Sequence, residues 1–349
     1  MAKQCIGLDI GSSSIKLVQV KSSRKAYSLQ NFGIEPLPPG AIIDGAIADP
    51  GAVSESIRNL IKRIHLRGKD VALAVSGNSV IIRRLQIPAM EGAALAEQME
   101  WEVKQNVPFA RNEVIVDYEV LVPKTPEGQM EVVLVAAKRE IVEQYVEAVK
   151  GAGLNPSIVD TGAFAMQNAV EAATGFSHET AAVINVGAHF STIVIVSNGH
   201  PVFHRNLAAG GDTFTEAIRH RLAIGIDGAE AYKVGGGVGG AAEVVPQEVH
   251  RVLAQVSEQV SSEFQRTIDF YLGDAVGANL TRVFLTGGSA LVPQLPKAIQ
   301  DRARVPVVIF DPFANITVDA RRFDVEYLRA NAPVATVAFG LSLRRSGDK

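Results

Sequence analysis

Two segments of the chain share one pattern of apolar and polar positions. The first, IGLDIGSSSIKLVQV at Ile6–Val20, has an apolar strand, a Gly-Ser turn and a second strand with alternating apolar residues, which predicts a β-hairpin. The second, AVINVGAHFSTIVIV at Ala182–Val196, follows the same plan. Asp9 aligns with Asn185, which lies 176 positions later, close to half the chain. The repeat predicts two similar lobes that face each other across a cleft.

A third segment, RVFLTGGSALVPQLPKAI, predicts a strand, a Gly287–Gly288 turn and a helix. Alone, a Gly-Gly turn is most often a tight loop, and a single serine-rich hairpin is equally compatible with an ordinary turn. In this order, the three segments favour one binding site. Gly11 allows the following N–H groups to converge on an anion, and paired glycines allow a flat ring to approach. Asp9 has no evident charge partner in the sequence, so a hydrated Mg²⁺ would satisfy it.

Hydrophobic spacing predicts the remaining elements. A helix is expected over 53–66, capped by Ser54 or Ser56. The region from about residue 80 to 156 predicts a small β-α-β-β-α unit, and apolar residues at helical spacing predict a long helix over 249–272. The glycine-rich stretch 234–245 lacks the strand and the Gly-Lys-Ser/Thr ending of a phosphate loop, so it is interpreted as a connector.

Composition narrows the class of protein. The 349 residues allow two or three domains, and 47% hydrophobic residues are enough for a sizeable core. Lys and Arg total 34 against 37 for Asp and Glu, so a net charge of −3 argues against nucleic-acid or polybasic membrane binding. One cysteine, Cys5, indicates a reducing compartment. No signal peptide or membrane-length apolar run is evident. We expect a soluble cytoplasmic protein.

The sequence resembles the actin, heat-shock chaperone and sugar-kinase superfamily, in which two such hairpins bind phosphate and the strand–Gly-Gly–helix segment binds adenosine. Longer stretches resemble the FtsA-like branch, and within it the PilM family of type IV pilus assembly proteins. These stretches are GLDIGSSSIKLVQV, EVKQNVPFARNEVIVDYEV, AAKREIVEQYVEAVKGAGL and SSEFQRTIDFY. The resemblance covers nearly the whole chain.

The resemblance implies ATP and Mg²⁺ as cofactors, with Asp9 holding Mg²⁺ through water. Glu230 and Lys233 match a helix that contacts ribose and base, although a solvated ion pair on that helix is the alternative. The implied ATP-binding residues are Asp9, Gly11, Ser12, Ser13, Ser14, Lys16, Asn185, Gly187, Ser191, Thr192, Gly210, Gly211, Glu230, Lys233, Gly287, Gly288 and Ser289.

Two departures from the superfamily pattern bear on catalysis. Asn185 stands where the second phosphate motif usually has Asp, so Mg²⁺ should be less well organised. Gly162 stands where the segment between the lobes often has Glu, which leaves Asp160 as a weak catalytic candidate. Because positioned water and organised phosphates supply most of the rate of phosphoryl transfer, we expect slow hydrolysis of ATP or none.

The implied fold is a mixed α/β, two-lobed actin-like ATPase with duplicated ribonuclease H-like domains. The first lobe is expected to comprise 1–79, 157–180 and a C-terminal helix at 333–345. An FtsA-like inserted β-α-β-β-α subdomain is expected at 80–156. The second lobe should span 181–332, with 214–271 as its outer helical part. In the last helix, Ala338 and Gly340 are small enough for close packing against the first lobe.

The resemblance also implies partners. A PilM-like protein would bind the N-terminal cytoplasmic peptide of PilN, from the inner-membrane PilN/PilO complex, beside the inserted subdomain. Pilus motor ATPases and self-association are further expectations. Only SGDK follows Arg345, too short for an amphipathic membrane helix, so protein partners should hold it at the inner membrane. The alternatives are a filament-forming or cell-division FtsA-type ATPase and a small-molecule kinase. For the kinase, the sequence shows no substrate-binding motif.

Overall fold

The computed structural model describes residues 4–23, 26–175, 179–235, 245–275 and 279–348. The glycine-rich stretch 234–245, interpreted above as a connector, lies almost entirely outside these residues.

The described residues contain the following elements of regular structure. The strands are β1 (Ile6–Ile10), β2 (Ser14–Ser23), β3 (Ala26–Pro36), β4 (Ile42–Ile43), β5 (Ala46–Ile47), β6 (Asp70–Val75), β7 (Val80–Pro88), β8 (Val114–Val122), β9 (Gln129–Lys138), β10 (Asn155–Thr161), β11 (Thr180–Val186), β12 (Ser191–Ser197), β13 (His200–Leu207), β14 (Leu280–Thr286) and β15 (Val307–Ile309). The helices are α1 (Pro50–Arg63), α2 (Gly92–Asn106), α3 (Arg139–Gly151), α4 (Gly162–Thr174), α5 (Gly211–Leu222), α6 (Ile226–Lys233), α7 (Gln247–Asp274), α8 (Leu295–Ala303), α9 (Val325–Ala330) and α10 (Thr336–Ser342).

The strands form two five-stranded sheets with equivalent topology. The first sheet has the order β10-β6-β1-β2-β3, and the second has β13-β12-β11-β14-β15. In each sheet, three strands that are consecutive in the chain pair in antiparallel fashion: β1, β2 and β3 in the first sheet, and β11, β12 and β13 in the second. The other two strands of each sheet lie on the far side of the first hairpin strand and run parallel to it. The predicted repeat is therefore a repeat of structure. The mixed α/β fold has two lobes built on related sheets.

A third sheet, in the order β7-β9-β8, follows the first lobe's β6. Its strands and helices α2 and α3 have the predicted β-α-β-β-α order. Helix α2 covers one face, where Met99 and Val103 pack against Val132 and Leu134 of β9. Strand β10 begins at Asn155 and pairs with β6, so it crosses the boundary expected between 156 and 157.

Alternation along the hairpin strands places apolar side chains on both faces of the first sheet. Val18 and Val20 pack with α4 and α10, whereas Ile15 and Leu17 pack on the side of α1 and α3. Helix α4 also contacts the second sheet, since Met166 and Val170 share a core with Val194. This central helix joins the two lobes through buried apolar contacts.

The predicted cap of the first helix is wrong. Helix α1 begins at Pro50, and Asp49 caps it by accepting a hydrogen bond from the Ala52 N–H at 2.9 Å. Ser54 and Ser56 lie inside the helix and are buried; the Ser54 hydroxyl donates to the Ala148 carbonyl of α3 at 2.9 Å. The serine thus fastens two helices together, a long-range role that helical spacing does not reveal.

The last helix is shorter than the expected 333–345, because residues 333–335 form a 3₁₀ turn before α10. Close packing at Gly340 is as predicted. A Cβ there would lie 1.7 Å from the Ala165 carbonyl oxygen of α4, so only glycine fits. None of the helices among the described residues is both long and apolar enough to cross a bilayer.

Candidate functional site

A cavity of about 410 Å³ lies between the two lobes, within the size range of small-molecule sites. Most of the implied ATP-binding residues line it. Those lining residues are Asp9, Gly11, Ser12, Ser13, Ser14, Lys16, Asn185, Gly187, Thr192, Glu230, Lys233, Gly287, Gly288 and Ser289. Ser191, Gly210 and Gly211 do not line it, and neither does Asp160.

The first hairpin brings a charge pair to the cavity. Asp9 stands opposite Lys16 in the β1–β2 register, and the Lys16 ammonium lies 3.5 Å from the Asp9 carboxylate. The expectation that Asp9 lacks a charge partner is therefore wrong, because pairing across the turn supplies one. Lys16 also donates to the Ser14 carbonyl at 3.1 Å. A Cβ on Gly11 would lie 2.7 Å from this ammonium, so glycine makes room for it.

The second hairpin presents neutral groups. Asn185 stands opposite Thr192, whose hydroxyl donates to the Asn206 side chain at 2.9 Å. Ser191 is fully buried, and its hydroxyl donates to the Ala209 carbonyl at 2.5 Å. Neighbouring residues of a strand point to opposite faces, so Ser191 fastens the hairpin to its own lobe while Thr192 faces the cavity.

Gly210 and Gly211 hold the second hairpin rather than line the cavity. The Gly211 N–H at the start of α5 donates to the Gly187 carbonyl at 2.9 Å. A Cβ on Gly210 would lie 2.5 Å from the Ala188 carbonyl oxygen, and one on Gly211 would lie 2.5 Å from the Ser289 hydroxyl. Both glycines permit the close approach of α5 to the hairpin turn.

Glu230 and Lys233 belong to a compact polar network at the cavity wall. The Lys233 ammonium lies 2.6 Å from the Glu230 carboxylate and donates to the Thr215 hydroxyl at 3.0 Å. Its side chain is only 7% exposed. The Thr215 hydroxyl in turn donates to Glu230 at 2.6 Å. A buried ammonium with these partners is not the solvated ion pair of the alternative interpretation.

The Gly-Gly turn packs directly on the second hairpin. Gly287 has φ of +89°, and a Cβ there would lie 2.3 Å from the Asn185 side-chain oxygen. The Ser289 hydroxyl donates to the Gly187 carbonyl at 3.1 Å. Residues 288–291 form a 3₁₀ turn, so α8 begins several residues later, at Leu295. Glycine is required at 287 by both conformation and space.

Asp160 lies away from the cavity lining. Its carboxylate is 3.3 Å from the Arg344 guanidinium and accepts the Thr161 N–H at 2.7 Å. Burial raises the pKa of Asp160, and the positive charge of Arg344 opposes that effect. Gly162, by contrast, lines the cavity, and a Cβ there would lie 2.2 Å from the Ser76 hydroxyl. Close packing against Ser76 accounts for glycine at this position.

Tyr145 and His189 are two of the cavity residues that were not assigned to the site from the sequence. Tyr145 of α3 lines the cavity and donates to the Gly45 carbonyl at 3.1 Å; burial, and then the negative charge of Asp9, raise its pKa. His189 lies between the two lobes, 3.0 Å from Asp44 and 3.3 Å from Asp212. Its partner Asp44 lies 145 positions away in the chain, so sequence spacing does not reveal this contact.

Among the described residues, no group of three or more His, Cys, Asp or Glu side chains could hold a metal ion. Asp9 is the acidic residue at the first hairpin, and Lys16 already balances part of its charge. The donor set therefore fits Mg²⁺ only as an ion that arrives with phosphate groups and keeps most of its water.

Comparison with known proteins identifies the family. The family model described as type IV pilus assembly protein PilM matches residues 7–346. A chain of the solved PilM-PilN type IV pilus biogenesis complex is 29% identical with a TM-score of 0.86, and the match covers 99% of both chains.

Two further proteins are similar to the chain at lower identity. The cell division protein FtsA of Streptococcus pneumoniae serotype 2 is 24% identical over 88% of this chain and 75% of its own length. MreB5 of Spiroplasma citri, solved with AMPPNP, is 16% identical with a TM-score of 0.53, covering 97% of this chain and 95% of its own. These matches support the actin-like fold. With the PilM model matching nearly its full length, the chain belongs to the PilM family of type IV pilus assembly proteins.

Proposed function

We propose that this chain binds Mg-ATP between its lobes and couples the nucleotide state to assembly of the type IV pilus platform. The convergence of three glycine turns, from both hairpins and the β14 end, around one cavity of about 410 Å³ carries the proposal. A shared cavity between lobes also allows a bound ligand to alter how the lobes sit together.

The first hairpin is the proposed phosphate-binding element. The N–H groups of Ser12 and Ser13 donate to no other part of the described chain, and the Lys16 ammonium is held beneath the same turn. Such a concave set of N–H groups and a cation attracts polyphosphate. Bound Mg²⁺ would neutralise phosphate charge, and Asp9 would hold its water. Lys233 and Glu230 would then orient the nucleoside end.

We propose that hydrolysis is slow because the described chain places no free acidic base in the cavity. Asp9 pairs with Lys16, Glu230 with Lys233 and Asp212 with His189, while Asp160 lies outside the lining beside Arg344. Each of these carboxylates is therefore held by a basic group, and none is left free to position the attacking water. Turnover well above ~1 s⁻¹, the low end for enzymes, would contradict this proposal.

We further propose that the N-terminal cytoplasmic peptide of PilN is the principal partner. Family membership and the 29% identical chain of the PilM-PilN complex support it. The binding groove would lie between the first lobe and the unit at 80–156, where an extended apolar peptide could enter. PilN and PilO would then hold the protein at the inner membrane. Motor ATPases and copies of this chain are further proposed partners.

Calorimetry tests the proposal with three titrations: Mg-ATP, the PilN N-terminal peptide from the same genome, and the peptide in the presence of Mg-ATP. Both ligands should bind, and saturation with nucleotide should change the peptide affinity by at least several-fold. A sugar that binds while the peptide does not would favour the kinase alternative. If both ligands bind but Mg-ATP does not change the peptide affinity, the two binding sites are supported and the proposed coupling is contradicted.

A further inference from the structure

A second concavity, of about 1220 Å³, lies at the far end of β2 from the phosphate hairpin. We call it the basic concavity; its charged or titratable lining residues are Lys21, His65, Arg67, Arg322 and Arg345. It shares no lining residue with the cavity between the lobes. A ligand of this concavity would therefore not compete with the proposed nucleotide for the same residues.

Positive charge outweighs negative charge at the basic concavity. Among the described residues its lining contains no carboxylate, and the side chains of Lys21, Arg67 and Arg345 form no ion pair there. Arg322 donates to the Gln30 carbonyl at 2.9 Å, and the carboxylate of Asp319, outside the lining, lies near it. The chain as a whole carries −3, so a local cluster of the opposite sign selects anionic ligands.

The floor of the basic concavity is a preformed polar surface. The Asn31 amide donates to the Gln19 side chain at 2.6 Å, and Gln19 donates to the Arg67 carbonyl at 3.4 Å. The Gln4 side chain accepts the Ser22 N–H at 2.9 Å. Amide side chains fixed in this way, beside the lining residues Val20 and Ile64, suit a ligand with peptide groups as well as charge.

Size and shape favour a chain-like ligand. The volume exceeds the ~300–1,000 Å³ of ordinary small-molecule sites. A flat bilayer surface does not enter a concavity, whereas an extended polypeptide does. We propose that the basic concavity docks an acidic, extended peptide segment of a partner protein. Electrostatic attraction brings the segment in, and the amides fix its backbone.

Fluorescence anisotropy of the full chain tests this site with two labelled decapeptides. The first contains Glu, Asp and Gly, and the second has Gln in place of each Glu and Asn in place of each Asp. The acidic peptide should bind at least tenfold more tightly, and its affinity should fall as salt is raised. The double variant Arg67→Glu, Arg345→Glu should weaken acidic-peptide binding at least tenfold. The control Lys124→Glu, Lys297→Glu makes the same charge change at exposed sites elsewhere and should leave the dissociation constant within twofold.

Three outcomes would overturn the proposal. These are equal binding of acidic and neutral peptides, equal losses in both double variants, and charge-dependent binding to phosphatidylglycerol vesicles without binding of the peptide. An unchanged melting temperature of the Arg67→Glu, Arg345→Glu variant shows that it is folded. None of these measurements uses the PilN peptide or the nucleotide, so failure here leaves the proposed function intact.

Discussion

The β1–β2 and β11–β12 hairpins place Asp9 and Asn185 at equivalent strand ends, opposite Lys16 and Thr192 respectively. The first pair is charged and the second is neutral. The turns differ in what holds their carbonyls. In both turns the two central N–H groups, those of Ser12 and Ser13 and those of Ala188 and His189, donate to no part of the described chain.

The second turn is fixed by its surroundings. The Gly187 carbonyl accepts from Gly211 and from the Ser289 hydroxyl, and the Ala188 carbonyl accepts from Asp212. One copy of the repeat therefore offers a charged pair, while the carbonyls of the other are fixed by helix α5 and the Gly-Gly turn. The repeated hairpins form the two sides of the cleft. A few side-chain differences give the two sides different roles in binding.

Gly287→Ala should lower the free energy of unfolding more than the other substitutions change theirs, because the turn at Gly287 packs directly on the second hairpin. The new Cβ would collide with the Asn185 side chain at 2.3 Å and the Val186 carbonyl oxygen at 2.4 Å, at a φ of +89°. Strain and overpacking together should cost about 3 kcal/mol. Gly288→Ala is the matched control, since a Cβ there meets nothing within 4 Å. Denaturant unfolding measures both; equal midpoints would show that the second hairpin does not depend on close packing at Gly287.

His204 should make the second hairpin's surroundings sensitive to acid. It pairs with Val194 in the β12–β13 register, and burial, followed by the charge of Arg83, lowers its pKa to about 4. The unfolded chain protonates near pH 6.5, so it binds more protons than the folded chain between pH 6.5 and 4. Stability should fall by about 3 kcal/mol as pH drops through that window.

His204→Gln should remove that part of the pH dependence, and His250→Gln, at an exposed position, should not. Unfolding midpoints at pH 7 and pH 4.5 measure the difference. If His204→Gln and wild type lose the same stability, the acid sensitivity lies elsewhere.

Asp9→Asn should make the first hairpin resemble the second by removing its negative charge. We expect the advantage that Mg²⁺ gives to ATP binding to fall about tenfold, because an amide holds metal-bound water less strongly than a carboxylate. Calorimetry of ATP with Mg²⁺ and with EDTA measures this advantage. Asp301→Asn, at an exposed position of α8, is the control. An unchanged Mg²⁺ advantage would remove Asp9 from the metal site.

Asn185→Asp makes the opposite change and should have the smallest effect. An added carboxylate at the cavity should raise the Mg²⁺ advantage about threefold, since Asp9 already supplies one charge and the Gly287 turn limits movement of the new side chain. The same pair of titrations measures it. A lower Mg²⁺ advantage would mean that Asn185 does not face the metal.

Local pattern predicted the hairpins and the order of elements, because apolar alternation and glycine turns are recorded in neighbouring positions. The family resemblance supplied the implied ATP-binding residues, most of which line the cavity. Local pattern missed contacts set by register or distance. The Asp9–Lys16 pair depends on the exact turn, and Ser54 acts on Ala148, 94 positions away. Strand alternation alone could have separated Ser191 from Thr192, since adjacent residues face opposite ways.

The central claim is that nucleotide binds between the lobes and that the first hairpin supplies the charge. Calorimetric titration of Mg-ATP into wild type, Lys16→Ala and Lys21→Ala tests it most directly, because the two lysines lie on the same strand and only Lys16 lines the cavity. We expect at least a tenfold weaker dissociation constant for Lys16→Ala and less than a twofold change for Lys21→Ala. Equal affinity in all three proteins, or no binding by wild type, would contradict the account.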